Sequence, residues 1–121
     1  MSAEMVLIIE DEAKLRRTIA AFLEDSGYRV LEAANGREGL ECFAAGRPDV
    51  VLTDLRMPEM NGIEVIIQLK RSSPLTPVIV ITGTGDHLAV AAALDAGARK
   101  CLAKPINDLA ELEAAIRQVL C

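Results

Sequence analysis

The sequence lacks the features that would place it in a membrane, on nucleic acid or around a transition metal. Its uninterrupted apolar runs are short, such as those at 6–9 and 78–81 with about four residues each, whereas a helix that spans a bilayer needs roughly 20. The formal net charge of −5 argues against non-specific adhesion to nucleic acid or to an anionic membrane. The single histidine, His87, has no second histidine or cysteine near it in sequence, which argues against a zinc site.

Cysteine is also scarce. The three cysteines, Cys42, Cys101 and Cys121, are an odd number without a CxxC pair, which is typical of reduced thiols in a cytoplasmic protein. We expect Cys42 and Cys101 to act as small hydrophobic residues in apolar surroundings. Residues 1–4 lack the basic segment that opens a secretory signal peptide. These observations predict a cytoplasmic location.

What the chain does contain is a regular alternation of segments. At 121 residues, 51% of them hydrophobic, it is long enough for one domain with a core and too short for two. Short apolar runs alternate five times with longer amphipathic stretches, which is typical of β-α units that build a parallel sheet. The predicted strands cover 6–9, 29–32, 50–53, 78–82 and 100–103. We therefore predict an α/β fold with a doubly wound, five-stranded parallel sheet flanked by five helices.

The helices are predicted from apolar residues at helical spacing and from residues that start or stop a helix. The first covers 12–26 and stops at Gly27, the second begins near Gly36, and the third stops at 72–74. The fourth follows Asp86 as N-cap and closes at Gly97, and the fifth begins at about 107 or 108. One face of the third helix is predicted to hold Ile63, Ile66, Ile67 and Lys70. The inner side of the fifth is predicted to hold Leu109, Leu112, Ile116 and Val119.

Polar and charged residues stand where the predicted strands end. Glu10 and Asp11 follow the first strand, Asp54 follows the third, Thr82 ends the fourth and Lys104 follows the fifth. In open α/β sheets, ligands bind beyond the carboxyl ends of the strands, at the point where the strand order reverses. If the order is 2-1-3-4-5, the first and third strands are neighbours at that point. Three carboxylates would then converge on one crevice.

Three convergent carboxylates need a cation. Oxygen ligands without histidine or cysteine suit a hard ion, and partly hydrated Mg²⁺ held by one or two carboxylates and a phosphate is the usual arrangement. Thr82 adds a hydroxyl, and Lys104 adds a mobile positive charge that suits a phosphate oxygen. An aspartate in such a site can attack a phosphoryl group and form an acyl phosphate. Asp54, which ends an apolar run, is therefore a candidate ligand and a candidate nucleophile.

Four short motifs occupy these strand ends. They are Glu10-Asp11-Glu12, the nine residues 54–62 (DLRMPEMNG), Thr82-Gly83 and Lys104-Pro105. In order and spacing they resemble the receiver domain of two-component response regulators, over nearly the whole chain. The resemblance implies a flavodoxin-like receiver fold of strand order 2-1-3-4-5. It also implies that residues 1–121 form a single receiver domain, with no output domain within the chain.

The resemblance implies a role for each residue of the site. Asp54 is the expected phosphoacceptor, and Thr82 and Lys104 are expected to assist the transfer. The Lys104–Pro105 peptide bond is expected to be cis. The expected ligands of Mg²⁺, with Mn²⁺ as an alternative ion, are Glu10, Asp11, Asp54 and the backbone carbonyl of Arg56.

The implied function is that of a phosphoacceptor switch in a two-component phosphorelay. The phosphoryl group would come from a phosphohistidine of a histidine kinase or of a histidine phosphotransfer protein. The response would shift the face formed by the fourth helix, fifth strand and fifth helix, through which the chain would control a partner, a C-terminal output domain in a longer parent protein, or a second copy in a homodimer. The chain is not expected to be an enzyme beyond its own phosphorylation and dephosphorylation, nor to contact nucleic acid or membrane directly.

Three alternative functions make different demands on the sequence. A phosphatase acting through an aspartyl phosphate needs a second acid where Arg56 stands, and a flavin-binding module needs a loop rich in Ser, Thr or Gly at 10–12. A receiver-like interaction module that works without phosphorylation is the remaining alternative. One departure bears on the output: Cys101 stands where most receivers carry Tyr or Phe, whose ring turns inward in the family. We therefore expect the coupling from phosphorylation to output to differ here.

Overall fold

Strands and helices alternate along the whole chain in the computed structural model, which describes residues 3–57, 60–83, 87–106 and 108–120. The strands are β1 (Met5–Ile9), β2 (Arg29–Ala33), β3 (Val50–Asp54), β4 (Val78–Thr82) and β5 (Lys100–Ala103). The helices are α1 (Ala13–Asp25), α2 (Gly36–Gly46), α3 (Gly62–Ser72), α4 (His87–Ala96) and α5 (Leu109–Leu120). This alternation confirms the predicted α/β fold.

The five strands form one parallel sheet in the order β2-β1-β3-β4-β5, which confirms the predicted order. The chain therefore changes direction across the sheet between β1 and β3. Ile9 pairs with Thr53, Asp54 with Ile81, and Thr82 with Ala103. This register brings the carboxyl ends of β1, β3, β4 and β5 to one edge, where a ligand site is expected.

Each face of the sheet carries its own core, because successive strand residues point to opposite faces. α1 and α5 cover the face that contains Ile8, Leu52 and Ile79. α2, α3 and α4 cover the opposite face, which contains Leu7 and Val51. Since both faces are covered, the central strands β3 and β4 are buried over their full length. The apolar runs that predicted these strands are therefore explained by burial on both sides.

The helix ends follow from local chemistry. The side chains of Asn35 and Asn61 cap α2 and α3 by accepting backbone hydrogen bonds from the third residue of each helix, at 2.8 and 3.0 Å. Gly27, two residues after the end of α1, and Gly97, directly after α4, have positive φ angles of 99° and 121°. Glycine adopts this conformation at little cost, and both glycines stop the helices where the sequence predicts.

The predicted apolar face of α3 is wrong in part. Ile66 is buried, but Ile67 is 39% exposed, and the other large buried side chains of this helix are Val65 and Leu69. The reason is that α3 packs on the sheet through these three residues, while Ile67 faces a shallow cleft towards α4.

Four residues stand in sequence at the ends of α4 and α5. His87 is exposed in the first turn of α4. The predicted N-cap Asp86, the predicted start at Asn107 and the third cysteine, Cys121, lie outside the described residues. None of the helices in the described ranges is long and apolar enough to cross a membrane.

Candidate functional site

The residues predicted for the site come together at one edge of the sheet. Asp54 and Thr82 are the last residues of β3 and β4, and Glu10, Asp11 and Lys104 follow directly after β1 and β5. Glu10, Asp54 and Thr82 are 3%, 6% and 2% exposed, whereas Asp11 is exposed. Two buried acids beside an open edge need local partners for their charge, because bulk water does not reach them.

Lys104 provides that partner for both buried acids. Its Nζ atom lies 2.8 Å from Oε1 of Glu10 and 2.9 Å from Oδ2 of Asp54. Burial lowers the pKa of the Lys104 ammonium, but its hydrogen bonds to Glu10 and Asp54 outweigh burial, so the pKa is raised. Its backbone amide donates to the carbonyl of Thr82 at 2.7 Å, and the Lys104–Pro105 peptide is cis as expected. The ammonium is therefore charged and held between the two carboxylates.

Glu10 is held on both sides of its carboxylate. Oε1 pairs with Lys104, and Oε2 accepts a hydrogen bond from the backbone amide of Glu12 at 3.0 Å. Burial raises the pKa of Glu10, and the hydrogen bonds from Lys104 and Glu12 lower it in part. Contacts with Asp11 and Asp54 raise it further. The pKa of Glu10 therefore stays above its ordinary value, mainly because of burial and to a smaller extent because other acids lie at this edge.

The acids lie at a spacing that suits a metal ion. One carboxylate oxygen from each of Glu10, Asp11 and Asp54 lies within 4.8 Å of the others. These three acids carry three formal negative charges, and Lys104, which contacts two of them, carries one positive charge. The formal charge that remains matches a divalent cation, and a donor set of oxygen atoms alone is what Mg²⁺ prefers. The residues at this edge therefore fit Mg²⁺.

Thr82 provides an available hydroxyl at the same edge. Asp54 pairs with Ile81 in the sheet, so Thr82 stands one residue further along β4 than the partner of Asp54. Its Oγ1 atom is buried and has no hydrogen-bond partner within the described part of the chain. A buried hydroxyl without a partner costs about 1–3 kcal/mol relative to a paired one. Oγ1 is therefore ready to donate to an oxygen of a bound ligand.

The backbone around Asp54 is shaped by the start of α3. The backbone amide of Arg56 donates to Oδ1 of Asp54 at 3.2 Å, and the amide of Gly62 donates to the carbonyl of Leu55 at 2.9 Å. A Cβ atom on Gly62 would lie 2.3 Å from the Asp54 carbonyl oxygen and 2.7 Å from Cα of Leu55. Only glycine permits this close approach at the start of α3. Residues 58 and 59 of this loop lie outside the described ranges.

Sequence reasoning missed Arg16 on α1. Its Nη1 atom donates to the backbone carbonyl of Glu10 at 2.8 Å, and its Nε atom lies 3.2 Å from Oε1 of Glu32 on β2. The signal was the charge of Glu32 inside a predicted strand, because a half-buried carboxylate in a sheet needs a cationic partner. Arg16 and Arg17 both follow the acidic motif closely in sequence, but the spacing alone does not tell which of the two reaches inward.

Cys101 lies on β5 beside Val80 and is half-buried against the core under α2, α3 and α4. Burial raises the pKa of its thiol, and burial is also the largest of the causes that raise the pKa of Cys42. Both are free thiols. The expectation that they act as small hydrophobic residues is therefore confirmed.

Comparison with known proteins gives a consistent result. The family profile of the response regulator receiver domain matches residues 6–117. The KDP operon transcriptional regulatory protein KdpE of Escherichia coli (strain K12) is 42% identical over 115 residues, which cover 95% of this chain and 50% of KdpE. The chemotaxis protein CheY of Thermotoga maritima is 37% identical over 110 residues, which cover 90% of this chain and 92% of CheY.

Solved structures agree with the sequence relatives. A response regulator receiver domain protein from Clostridium thermocellum superimposes with a TM-score of 0.91 at 34% identity, covering 97% of this chain and 94% of the other. Several of the relatives that this chain matches are transcriptional regulators, and the chain spans about half of their length, for example 49% of ycf27 from Porphyridium aerugineum. The likeness to these regulators is therefore a likeness to one part of each.

Proposed function

Because this chain belongs to the family of response regulator receiver domains, we propose that it is a phosphoacceptor switch with Asp54 as the phosphorylated residue. The observation that supports this most directly is the buried carboxylate of Asp54. It bonds to the ammonium of Lys104 and lies within 4.8 Å of two further acids at the open edge of the sheet. The donor would be a phosphohistidine of a histidine kinase or of a histidine phosphotransfer protein.

The transfer is an exchange of bonds at phosphorus. A carboxylate oxygen of Asp54 attacks the phosphorus atom, a P–O bond forms, and the P–N bond to the donor imidazole breaks with its electron pair left on nitrogen. Such a transfer depends mainly on positioning and on neutralising the charge of the phosphoryl oxygens. Lys104 and the unpaired hydroxyl of Thr82 are placed to donate to those oxygens. We expect hydrolysis of the acyl phosphate to use the same residues.

The acidic residues would hold the divalent ion that this chemistry needs. We propose Glu10, Asp11 and Asp54 as carboxylate ligands, with the backbone carbonyl of Arg56 completing the share of the protein. A bound Mg²⁺, or Mn²⁺ in its place, supplies positive charge to the attacking carboxylate and to the phosphoryl oxygens. The exposed position of Asp11 places one of these carboxylates on the solvent side of the edge, whereas Glu10 is buried.

The switch would begin with a change of partners for Lys104. Its ammonium is shared between Glu10 and Asp54, and a phosphoryl group on Asp54 would bring further oxygens that compete with Glu10. Since the backbone amide of Lys104 donates to the carbonyl of Thr82, a movement of Lys104 would displace the ends of β4 and β5 together. We propose that this shifts the face formed by α4, β5 and α5 between two arrangements.

The same face offers a surface for the output. Leu88 and Leu94 on α4 are 86% and 48% exposed. A partner, an output domain or a second copy of the chain would cover these side chains. The KdpE match, which covers half of that transcriptional regulator, supports an output domain in a longer parent protein. Within residues 1–121 we propose a single receiver domain. Receiver domains are signalling switches rather than metabolic enzymes, so we expect catalysis of its own phosphorylation and dephosphorylation only.

The decisive experiment measures the intact mass of the chain after incubation with Mg²⁺ and a small acyl phosphate donor. The native chain is expected to gain the mass of one phosphoryl group, and Asp54→Asn is expected to gain none. Asp49→Asn is the matched control, because Asp49 lies just before β3 and is exposed. It should gain the group as the native chain does, and removal of Mg²⁺ with a chelator should abolish the gain.

Other outcomes would point to other functions. A native chain that never gains the group, from the small donor or from a histidine kinase, would indicate an interaction module that works without phosphorylation. Sustained release of phosphate from unrelated phosphomonoesters would indicate a phosphatase.

A further inference from the structure

Arg16 ties three parts of the molecule together next to the acidic cluster. It lies in the second turn of α1, and its side chain is 16% exposed. Nη1 donates to the backbone carbonyl of Glu10 at 2.8 Å, while Nε pairs with Glu32 at 3.2 Å. The guanidinium is a rigid fork, so these two contacts fix its plane. The next residue, Arg17, is 74% exposed, and among the described residues it pairs with Glu32, at 3.5 Å.

The carbonyl that Arg16 contacts belongs to the peptide that joins Glu10 to Asp11. The amide on the other side of Glu10 donates to Ala33 on β2 at 3.0 Å, so β2 holds the backbone there. Arg16 is the side chain that holds the following peptide plane. The orientation of this peptide plane sets the direction of the chain after β1 and therefore the position of the Asp11 carboxylate. Asp11 is the exposed member of the acidic cluster of Glu10, Asp11 and Asp54.

We propose that Arg16 is a positioning residue for the divalent ion: it fixes the Glu10–Asp11 peptide, braced by Glu32, and so places Asp11 for coordination. This inference rests on the proposed function, because it needs Mg²⁺ at the acidic cluster. The inference extends the proposed site by Arg16, a residue that would contact neither the ion nor the phosphoryl group. Groups that orient metal ligands typically change metal affinity by about 10- to 100-fold when they are removed.

The sign of the effect separates positioning from simple electrostatics. Loss of a positive charge near a cation site reduces repulsion, so by Coulomb's law alone the removal of Arg16 should tighten Mg²⁺ binding. Loss of a positioning residue should weaken it. Arg17 supplies the matched control, because it carries the same charge on the same helix and pairs with the same Glu32 without touching Glu10.

The experiment compares Mg²⁺ affinity in Arg16→Met and Arg17→Met by calorimetric titration at a temperature at which both variants are folded. Methionine keeps the helix propensity and the apolar stem of arginine while removing its donors. We expect the dissociation constant of Arg16→Met to rise by about tenfold or more. Arg17→Met should bind as tightly as the native chain, or more tightly. At saturating Mg²⁺ the phosphorylation rate of Arg16→Met should return close to the native rate, which a general structural defect would not allow.

Unchanged or tighter Mg²⁺ binding by Arg16→Met would overturn the inference while leaving the proposed function intact. A native chain that binds no Mg²⁺ would overturn both. If Arg16→Met does not fold, Arg16→Lys provides the test, because it keeps the positive charge and removes the guanidinium fork that contacts Glu10 and Glu32 together. Coulomb's law alone then predicts unchanged Mg²⁺ binding, whereas the loss of positioning should weaken it, and equal or tighter binding would again contradict the inference.

Discussion

At the scale of single residues, the site is a set of buried side chains whose charges and hydrogen bonds are only partly satisfied by one another. Lys104 satisfies Glu10 and Asp54 together, and the pKa of Glu10 is nevertheless raised, first by burial. Oγ1 of Thr82 is left without a partner. Polar groups arranged in this way cost stability in the unliganded protein, and the cation and phosphoryl group proposed above would offset that cost. The cost is typical of a site whose ligands complete it.

Gly62 carries a prediction at this scale. In Gly62→Ala, the new methyl group would meet backbone atoms of Asp54 and Leu55, at 2.3 and 2.7 Å, which cannot move without displacing the end of β3. We expect a loss of about 1–3 kcal/mol in the free energy of unfolding, as for other overpacked positions. The phosphorylation rate should fall as well, because Asp54 moves with its backbone. Urea unfolding and intact mass measure the two effects.

Gly46→Ala is the control for this prediction. There the new methyl group would meet the end of the Leu31 side chain, which can rotate away. Alanine also favours a helix over glycine. The control should therefore keep native stability and the native phosphorylation rate. Equal losses in Gly62→Ala and Gly46→Ala would show that the close approach to Asp54 has no special role.

At the scale of helices and strands, most of the fold could be predicted from the sequence. Apolar runs predict all five strands to within one residue at each end, because the central strands are buried and the edge strands β2 and β5 are partly buried against the cores. The residues after the strands predict the site, because parallel strands bring their carboxyl ends to one edge. The buried face of α3 could not be predicted fully. Ile67 has the spacing of a core residue, but whether it is covered depends on where α4 packs.

The proposed transmission of phosphorylation from Lys104 through β5 to α4 can be tested by substitution. Lys104→Ala removes the ammonium that would respond to the phosphoryl group but leaves the strands and both cores covered. We expect the variant to fold in the presence of Mg²⁺ and still to gain a phosphoryl group, more slowly. Its α4 amides should show no change in hydrogen exchange on phosphorylation, whereas those of the native chain should change.

The control for β5 is Lys100→Ala. Lys100 is the first residue of β5, the strand that Lys104 follows, and it contacts Gln118 on α5, away from Asp54. This variant should keep the native change in exchange. A full change in the α4 amides of phosphorylated Lys104→Ala would show that the response travels by another route, for example through Thr82 alone.

At the scale of the whole molecule, contacts between distant segments determine how the two cores sit together, and these contacts have no local signal in sequence. The phenol of Tyr28, just before β2, donates to Oε2 of Glu113 on α5 at 2.7 Å. Glu113 also contacts Arg117 one turn further along α5. Arg16 and Glu32 join α1 to β2 in a comparable way. The helical pattern of α5 places Glu113 on an edge of the helix, but only the packed fold shows which residue it meets.

The Tyr28–Glu113 contact makes stability depend on pH at alkaline values. Burial and the hydrogen bond to Glu113 raise the pKa of Tyr28 from 10.0 to about 12. Because the folded state holds the phenol proton more tightly than the unfolded state does, the contribution of this contact to the unfolding free energy is fully present below pH 10.0 and is lost as the pH rises through about 12.

Tyr28 is the only tyrosine and the chain has no tryptophan, so the ultraviolet absorbance of the phenolate reports this one group. We expect a single transition near pH 12 in the folded protein and near pH 10 in urea. The unfolding free energy of the native chain should fall more steeply between these values than that of Tyr28→Phe, which has no proton to lose. A phenolate transition near pH 10 in the folded chain, or parallel stability curves for the two proteins, would show that this contact does not join α5 to the rest of the fold in solution.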